Sequence, residues 1–158
     1  MIREELLHPA VSHFPIALLS LLVFVKFSEL FIANNHEALK SQLAFLARFL
    51  LITGSISLIP SLFLGDMALD IVKSDMRNIT LAYQHEELAH NALYVFIVAL
   101  IIDLIPVIKS IPGRFIKLHT LILLGVILFG NYYIFKTAHS GASLVYDYGT
   151  AVEIKVHD

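Results

Sequence analysis

Residues 89–107 read AHNALYVFIVALIIDLIPV, nineteen residues in which only Asp103 carries a formal charge. At a rise of about 1.5 Å per residue, a helix of this length crosses a hydrocarbon core of about 30 Å. Residues 14–33, 43–64 and 118–137 have a similar length and composition. A buried helix of a soluble protein is the alternative, but four such stretches in a chain of 158 residues argue against it. The pattern predicts four transmembrane helices.

The composition supports a membrane protein. The chain is 58% hydrophobic and 15% charged, whereas soluble domains are about 45–50% apolar and about 25% charged. It has no cysteine, which excludes disulfides, iron–sulfur clusters and the covalent attachment of c-type haem. A net charge of −2 without a basic stripe argues against nucleic-acid binding. No linker or internal repeat is visible, so we expect a single domain over residues 1–158, an all-α, up-down four-helix transmembrane bundle.

Four crossings place the connections on two sides of the membrane. Residues 34–42 and 108–117 form short loops on one side, which we call side B. The N-terminus, residues 65–88 and the C-terminal tail lie on the other side, which we call side A. Residues 65–88 mix apolar and charged positions, which predicts a short amphipathic helix on the membrane surface, so that the loop is partly helical. Basic residues are dense in the side-B loops and predict that side B is cytoplasmic; they are Lys40, Lys109, Arg114 and Lys117.

Four ionisable residues fall within the predicted spans: Lys26, Glu29, Arg48 and Asp103. Charges at this depth are costly and usually form pairs. Counted along the helices, Lys26 lies at the depth of Asp103, and Glu29 lies at the depth of Arg48. We therefore expect two ion pairs between helices that stabilise packing. A proton or ion relay is the alternative, and it would more naturally show an unpaired acid.

Histidines gather on side A. His8, His13, His85 and His139 come from three different helix ends and reach the same membrane face. Imidazole binds iron, copper and zinc, and haem b needs only axial histidines. We expect these four histidines to be cofactor or metal ligands, although single histidines at an interface are often only polar caps. The other histidines are interpreted as loop or surface residues: His36 and His119 on side B, and His90 and His157.

Three stretches carry a resemblance to a known family. They are HPAVSHFPIAL over residues 8–18, HEELAHN over residues 85–91 and TAHSGASLVYDYGTAV over residues 137–152. They resemble the motifs of DUF2231, a family of small bacterial four-helix membrane proteins without an established activity. Ala142 stands where the family has the second glycine of a pair. The resemblance implies a bacterial membrane protein of four transmembrane helices and redox partners such as a cytochrome or a Rieske protein. With side B cytoplasmic, we expect the inner membrane as the location and periplasmic termini on side A.

Three functions compete at this point. The first is electron transfer by a haem b protein, with a redox protein or a quinone as partner. The second is a non-haem zinc or copper site, in which Asp66 or Glu86 would add a carboxylate to the histidines. The third is an assembly or interaction subunit without a cofactor. No Ser/His/Asp arrangement or phosphate-binding glycine loop points to hydrolysis or phosphoryl transfer.

The topology is testable because the chain has no native cysteine. Single cysteines introduced at positions 7, 84 and 138, each beside one of the histidines, should all react with a membrane-impermeant thiol reagent from the same compartment. A cysteine at position 113, in a side-B loop, should react only from the other compartment. Labelling of positions 7, 84 and 138 from opposite compartments would contradict a shared histidine site.

Overall fold

The protein is a bundle of four long helices. A computed structural model describes residues 3–32, 36–109 and 111–152. Within these ranges there is no β-strand, and a turn of 3-10 helix, Glu4–Leu6, precedes the bundle. The end of the first predicted span at Ala33 and the surface position of His157 lie outside the described residues. The helices are α1 (Leu7–Glu29), α2 (Glu37–Val72), α3 (Ile79–Ile108) and α4 (Gly113–Tyr146).

All four helices are long and apolar enough to cross a membrane. Their outer surface is also apolar: Phe45 is 74% exposed and Phe24 is 69% exposed. Large aromatic side chains on the outside of a bundle are stable when lipid, rather than water, surrounds them. The prediction of an all-α four-helix membrane bundle is confirmed, and the chain is a multi-pass membrane protein whose partner is the lipid bilayer.

The helices are longer than the predicted spans, chiefly on side A. Residues 65–88 are largely helical, as predicted, but the separate surface helix is wrong. Residues 65–72 continue α2, residues 79–88 begin α3, and only residues 73–78 connect them. Asn78 begins α3 by accepting a hydrogen bond on Oδ1 from the amide of Leu81 at 3.0 Å, a standard helix cap. Because 36 residues of α2 make a helix of about 54 Å, α2 is longer than the bilayer core is thick.

The helices follow one another around the bundle. Helix α1 packs mainly on α2, and α3 packs mainly on α4, while weaker contacts join α2 to α3 and α4 to α1. Helices α1 and α3 therefore stand diagonally opposite each other, as do α2 and α4. A buried Asn131 side chain ties α4 to α1 by donating to the carbonyl oxygen of Leu19 at 3.1 Å.

Two glycines allow close packing at mid-bundle. A Cβ atom at Gly54 would lie 2.6 Å from Cδ2 of Leu19, and one at Gly130 would lie 2.8 Å from the ring of Phe96. Leu19 and Phe96 are both completely buried. In each hairpin, then, a large side chain of the first helix packs against a glycine of the second.

The two hairpins repeat one another, although the sequence analysis finds no repeat. Leu19 and Phe96 are 77 positions apart, while Gly54 and Gly130 are 76 positions apart. Buried positions on any two helices of a bundle recur with the helical period, so matching burial alone would not show a repeat. Here the close contact between a large side chain and a glycine also recurs at the same offsets, which a shared helical period does not explain. The bundle therefore has an approximate two-fold axis along its length. Buried positions repeat with the same offsets, and the equivalent pairs are Pro15 and Ala92, Leu22 and Ala99, Ala47 and Leu123, Leu51 and Ile127, Ser55 and Asn131, and Leu58 and Ile134.

The glycine contact in α4 makes a stability prediction. Gly130→Ala should lower the free energy of unfolding by about 1–3 kcal/mol, because the buried Phe96 ring has no room to move away. Gly125→Ala on the same helix is the matched control, since nothing lies within 4 Å of a Cβ there. This control should leave stability unchanged or raise it by up to about 1 kcal/mol. Unfolding in mixed micelles measures both variants, and equal losses would contradict the packing.

Candidate metal centre

His8 is held against α2 by a main-chain hydrogen bond. Its Nδ1 lies 2.9 Å from the carbonyl oxygen of Ser61. The ring packs on Gly65, one turn further along α2, where a Cβ would lie 3.1 Å from Cε1 of His8. A side chain at position 65 would therefore push the ring away from α2. The half-buried imidazole is positioned by the backbone of its neighbouring helix.

His85 is held against α4 in the same way. Its Nδ1 lies 2.9 Å from the carbonyl oxygen of Thr137. Its ring packs on Gly141, where a Cβ would lie 2.9 Å from Cε1 of His85. As at His8, the accepting carbonyl precedes the glycine by four positions, which is one helical turn.

These hydrogen bonds determine the tautomer of both rings. A carbonyl oxygen only accepts, so Nδ1 of His8 and Nδ1 of His85 must each carry the proton. In the neutral imidazole the other nitrogen, Nε2, then has a free lone pair. No described residue forms a hydrogen bond with either Nε2. A histidine that donates through one nitrogen to a carbonyl and leaves the other free is prepared to bind a metal.

The two rings approach each other across the bundle. The ring centroids of His8 and His85 are 5.9 Å apart, and the ring planes are nearly perpendicular at 89°. Metal–imidazole bonds are about 2.0–2.1 Å long, so one metal between two trans imidazoles separates the ring centroids by about 6 Å. The centroid separation of this pair is therefore close to that of two imidazoles that would hold one metal between them.

His8 and His85 are equivalent in the repeat. They are 77 positions apart on α1 and α3, while Gly65 and Gly141 are 76 positions apart on α2 and α4. These are the offsets of the glycine contacts at mid-bundle. The approximate two-fold axis therefore passes near the pair, and the two halves supply one imidazole each.

His13 and His139 do not join this pair. His13 is exposed, and its Nδ1 bonds to the carbonyl oxygen of Pro9 on its own helix. Five positions on an α-helix turn it about 140° from His8. His139 is exposed, about 200° around α4 from Gly141, which faces inward. Of the four predicted ligands, the structure brings two together, and a metal role for any of the four stays a prediction.

His90 is the repeat partner of His13. The Nδ1 of His90 lies 3.0 Å from the carbonyl oxygen of Glu86, four residues earlier, as Nδ1 of His13 bonds to Pro9. Each first helix of a hairpin thus carries an inner histidine and, five positions later, one that bonds to its own helix. Among residues 3–32, 36–109 and 111–152, no three His, Asp or Glu side chains form a group that would hold a metal ion.

The four charged residues predicted to pair near side B do form two ion pairs, but each residue has a different partner from the predicted one. Lys26 Nζ lies 2.8 Å from Glu29 Oε2 on the same helix, and Arg48 Nε lies 2.6 Å from Asp103 Oδ2. Pairing by depth is wrong because Lys26 and Asp103 lie on diagonal helices. Asp103 instead meets Arg48 on the adjacent α2, while Glu29 is three positions from Lys26 and within its reach.

His119 satisfies a carbonyl that a proline leaves free. Pro106 lies inside α3 and has no N–H to donate to the carbonyl oxygen of Ile102. His119 Nε2 lies 3.0 Å from that oxygen, so it carries the proton and donates. His119 was predicted only as a loop or interface residue on side B, and this contact gives it a structural role. A cavity of about 270 Å³, lined by Pro106, Ile111, Ile116 and His119, lies beside this contact, far from the His8–His85 pair.

The helix positions that hold the two inner rings could not be predicted from side-chain patterns. Ser61, Gly65 and Thr137 act through their backbones, and backbone contacts leave no mark in side-chain chemistry. One signal was available: a His-x4-His spacing occurs at His8 and again at His85.

Comparison of the chain with family models, with curated proteins and with solved structures finds no match.

The proline contact makes a prediction that a double-mutant cycle tests. His119→Ala should lower the free energy of unfolding by about 1–3 kcal/mol, because the Ile102 carbonyl oxygen loses its donor inside the bundle. In a Pro106→Ala background the alanine N–H replaces that donor, so the same His119→Ala change should cost much less. Equal costs in both backgrounds would contradict this role for His119.

Proposed function

We propose that this chain is a haem b protein of the bacterial cytoplasmic membrane, with His8 and His85 as the two axial ligands. The main support is the 5.9 Å centroid separation of two rings with free Nε2 atoms. Haem supplies four equatorial nitrogens of its own, so it needs only axial ligands from the protein. Protein zinc sites need three or four protein ligands, and only two of the predicted ligands lie together.

The residues of the chain would hold and orient this group. The Ser61 and Thr137 carbonyl oxygens keep the two Nδ1 protons in place, so that each Nε2 presents its lone pair. Gly65 and Gly141 give the rings room against α2 and α4. Bound haem iron supplies reversible one-electron chemistry between its ferric and ferrous states. The protein would therefore act in electron transfer, not in a reaction with a bound substrate.

The location of the pair would decide which redox partners can reach it. Side B carries the dense basic loops and is cytoplasmic in this proposal, so the haem and both termini are at the periplasmic face. A periplasmic cytochrome, a Rieske protein or a membrane quinone would exchange electrons there. The resemblance to DUF2231 stays a prediction, and it agrees with such redox partners.

The visible spectrum of the purified protein tests the proposal. Protein expressed with ample haem should show a Soret band and, after reduction with dithionite, the sharp α and β bands of six-coordinate haem. His8→Ala and His85→Ala should each abolish the six-coordinate spectrum, because each removes one axial ligand. His13→Ala and His139→Ala are the matched controls and should retain it.

Three outcomes would overturn the proposal. A protein that takes up no haem under these conditions is not a haem protein. Copper or zinc without iron in elemental analysis would favour the non-haem metal site. Retention of the six-coordinate spectrum in His8→Ala or His85→Ala would mean that other residues are the ligands.

A further inference from the structure

The two inner histidines differ in one contact. Nδ1 of His85 lies 3.0 Å from the hydroxyl of Ser140 in addition to its contact with Thr137. Ser140 is 8% exposed, and its Oγ lies 2.9 Å from the same Thr137 carbonyl oxygen. The imidazole N–H, the hydroxyl and the carbonyl therefore form a closed group of three at the side-A end of α4.

The direction of each hydrogen bond in this group follows from its chemistry. The Thr137 carbonyl oxygen only accepts, so it receives the hydroxyl proton of Ser140. The Ser140 oxygen then presents a lone pair to Nδ1 of His85. The single Nδ1 proton is shared between two acceptors, a three-centre hydrogen bond.

The equivalent position in the other half has no hydroxyl. Ser140 follows Thr137 by three positions, and in α2 Leu64 follows Ser61 by three positions. The leucine side chain neither donates nor accepts a hydrogen bond. Among the described residues, the Ser61 carbonyl oxygen is therefore the one acceptor for Nδ1 of His8. The repeat therefore supplies two imidazoles in equivalent positions but with different hydrogen bonding.

We propose that Ser140 is a positioning residue that makes His85 the more strongly donating axial ligand and thereby lowers the reduction potential of the bound iron. This inference rests on the proposed haem function. A stronger hydrogen bond at Nδ1 draws the proton away from the ring and raises the basicity of Nε2. A more basic ligand stabilises ferric over ferrous iron, and axial-ligand hydrogen bonding is one of the means by which a protein sets a haem potential.

Redox titration of the haem-loaded protein tests this role. Ser140→Ala should shift the midpoint potential upward, because His85 loses one acceptor while both axial ligands remain. Ser143→Ala, one turn further along α4, is the matched control and should leave the potential unchanged. An unchanged potential in Ser140→Ala, with the six-coordinate spectrum intact, would overturn the inference.

The repeat provides the reverse substitution. Leu64→Ser introduces a hydroxyl near Nδ1 of His8 at the position that Ser140 occupies near His85. It should shift the midpoint potential downward, opposite to Ser140→Ala. A downward shift in both variants would show that general disturbance of the site, not hydrogen bonding, moves the potential, and would overturn the inference.

A measurement on the haem-free protein separates this inference from the proposed function. The Nδ1 proton of His85 has an NMR resonance whose chemical shift reports its hydrogen bonding. Ser140→Ala should move that resonance upfield and leave the Nδ1 proton of His8 unshifted. Absence of haem bands in the native protein would defeat the proposed function; an unshifted His85 resonance would defeat the role of Ser140, whether or not haem binds.

Discussion

The side-A end of the bundle depends on a hydrogen bond from an imidazole N–H to a main-chain carbonyl of the neighbouring helix. The carbonyl oxygens of Ser61 and Thr137 lie within helices, and a carbonyl oxygen has a second lone pair that a side chain can use. His8 and His85 each donate to one of these oxygens, and at Thr137 the Ser140 hydroxyl donates to the same oxygen. A buried polar group without a partner is costly, so the imidazole N–H keeps this bond and the ring stays in position. Because Nδ1 carries the proton, Nε2 retains its lone pair.

The internal repeat explains why the two rings meet. Helices α1 and α3 are diagonal, so equivalent residues on their inner faces point toward the common axis from opposite sides. The differences between the halves are as informative as the equivalences. Ser140 and Leu64 differ beside the imidazoles, and Lys26 and Asp103 occupy equivalent positions near side B with opposite charge. The halves thus share a backbone arrangement while their side chains have become specialised.

Hydropathy predicts much of the fold, since only lipid-facing and core helices carry such long apolar stretches. The four long apolar helices, their order and the all-α class are confirmed. The helix ends are not predicted, because hydropathy marks the part of a helix inside the bilayer, whereas α2 continues through mixed apolar and charged sequence to Val72. The repeat is hard to see because the equivalent core positions differ in residue type, as Leu19 and Phe96 illustrate, and only a few histidines and glycines recur.

The sequence alone determined that the chain has four apolar helices long enough to cross a membrane and that its N-terminal, middle and C-terminal histidines lie at one end of the bundle, because apolar length and the up-down order of the helices decide both. The tertiary structure decided which histidines meet. Each residue turns a helix by about 100°, so five positions separate an inner His8 from an outer His13. Only the packing of α1 on α2 and of α3 on α4 determines which of these faces turns inward. The order of the helices around the bundle also places α3 beside α2, so that Asp103 forms its ion pair with Arg48 and not with Lys26.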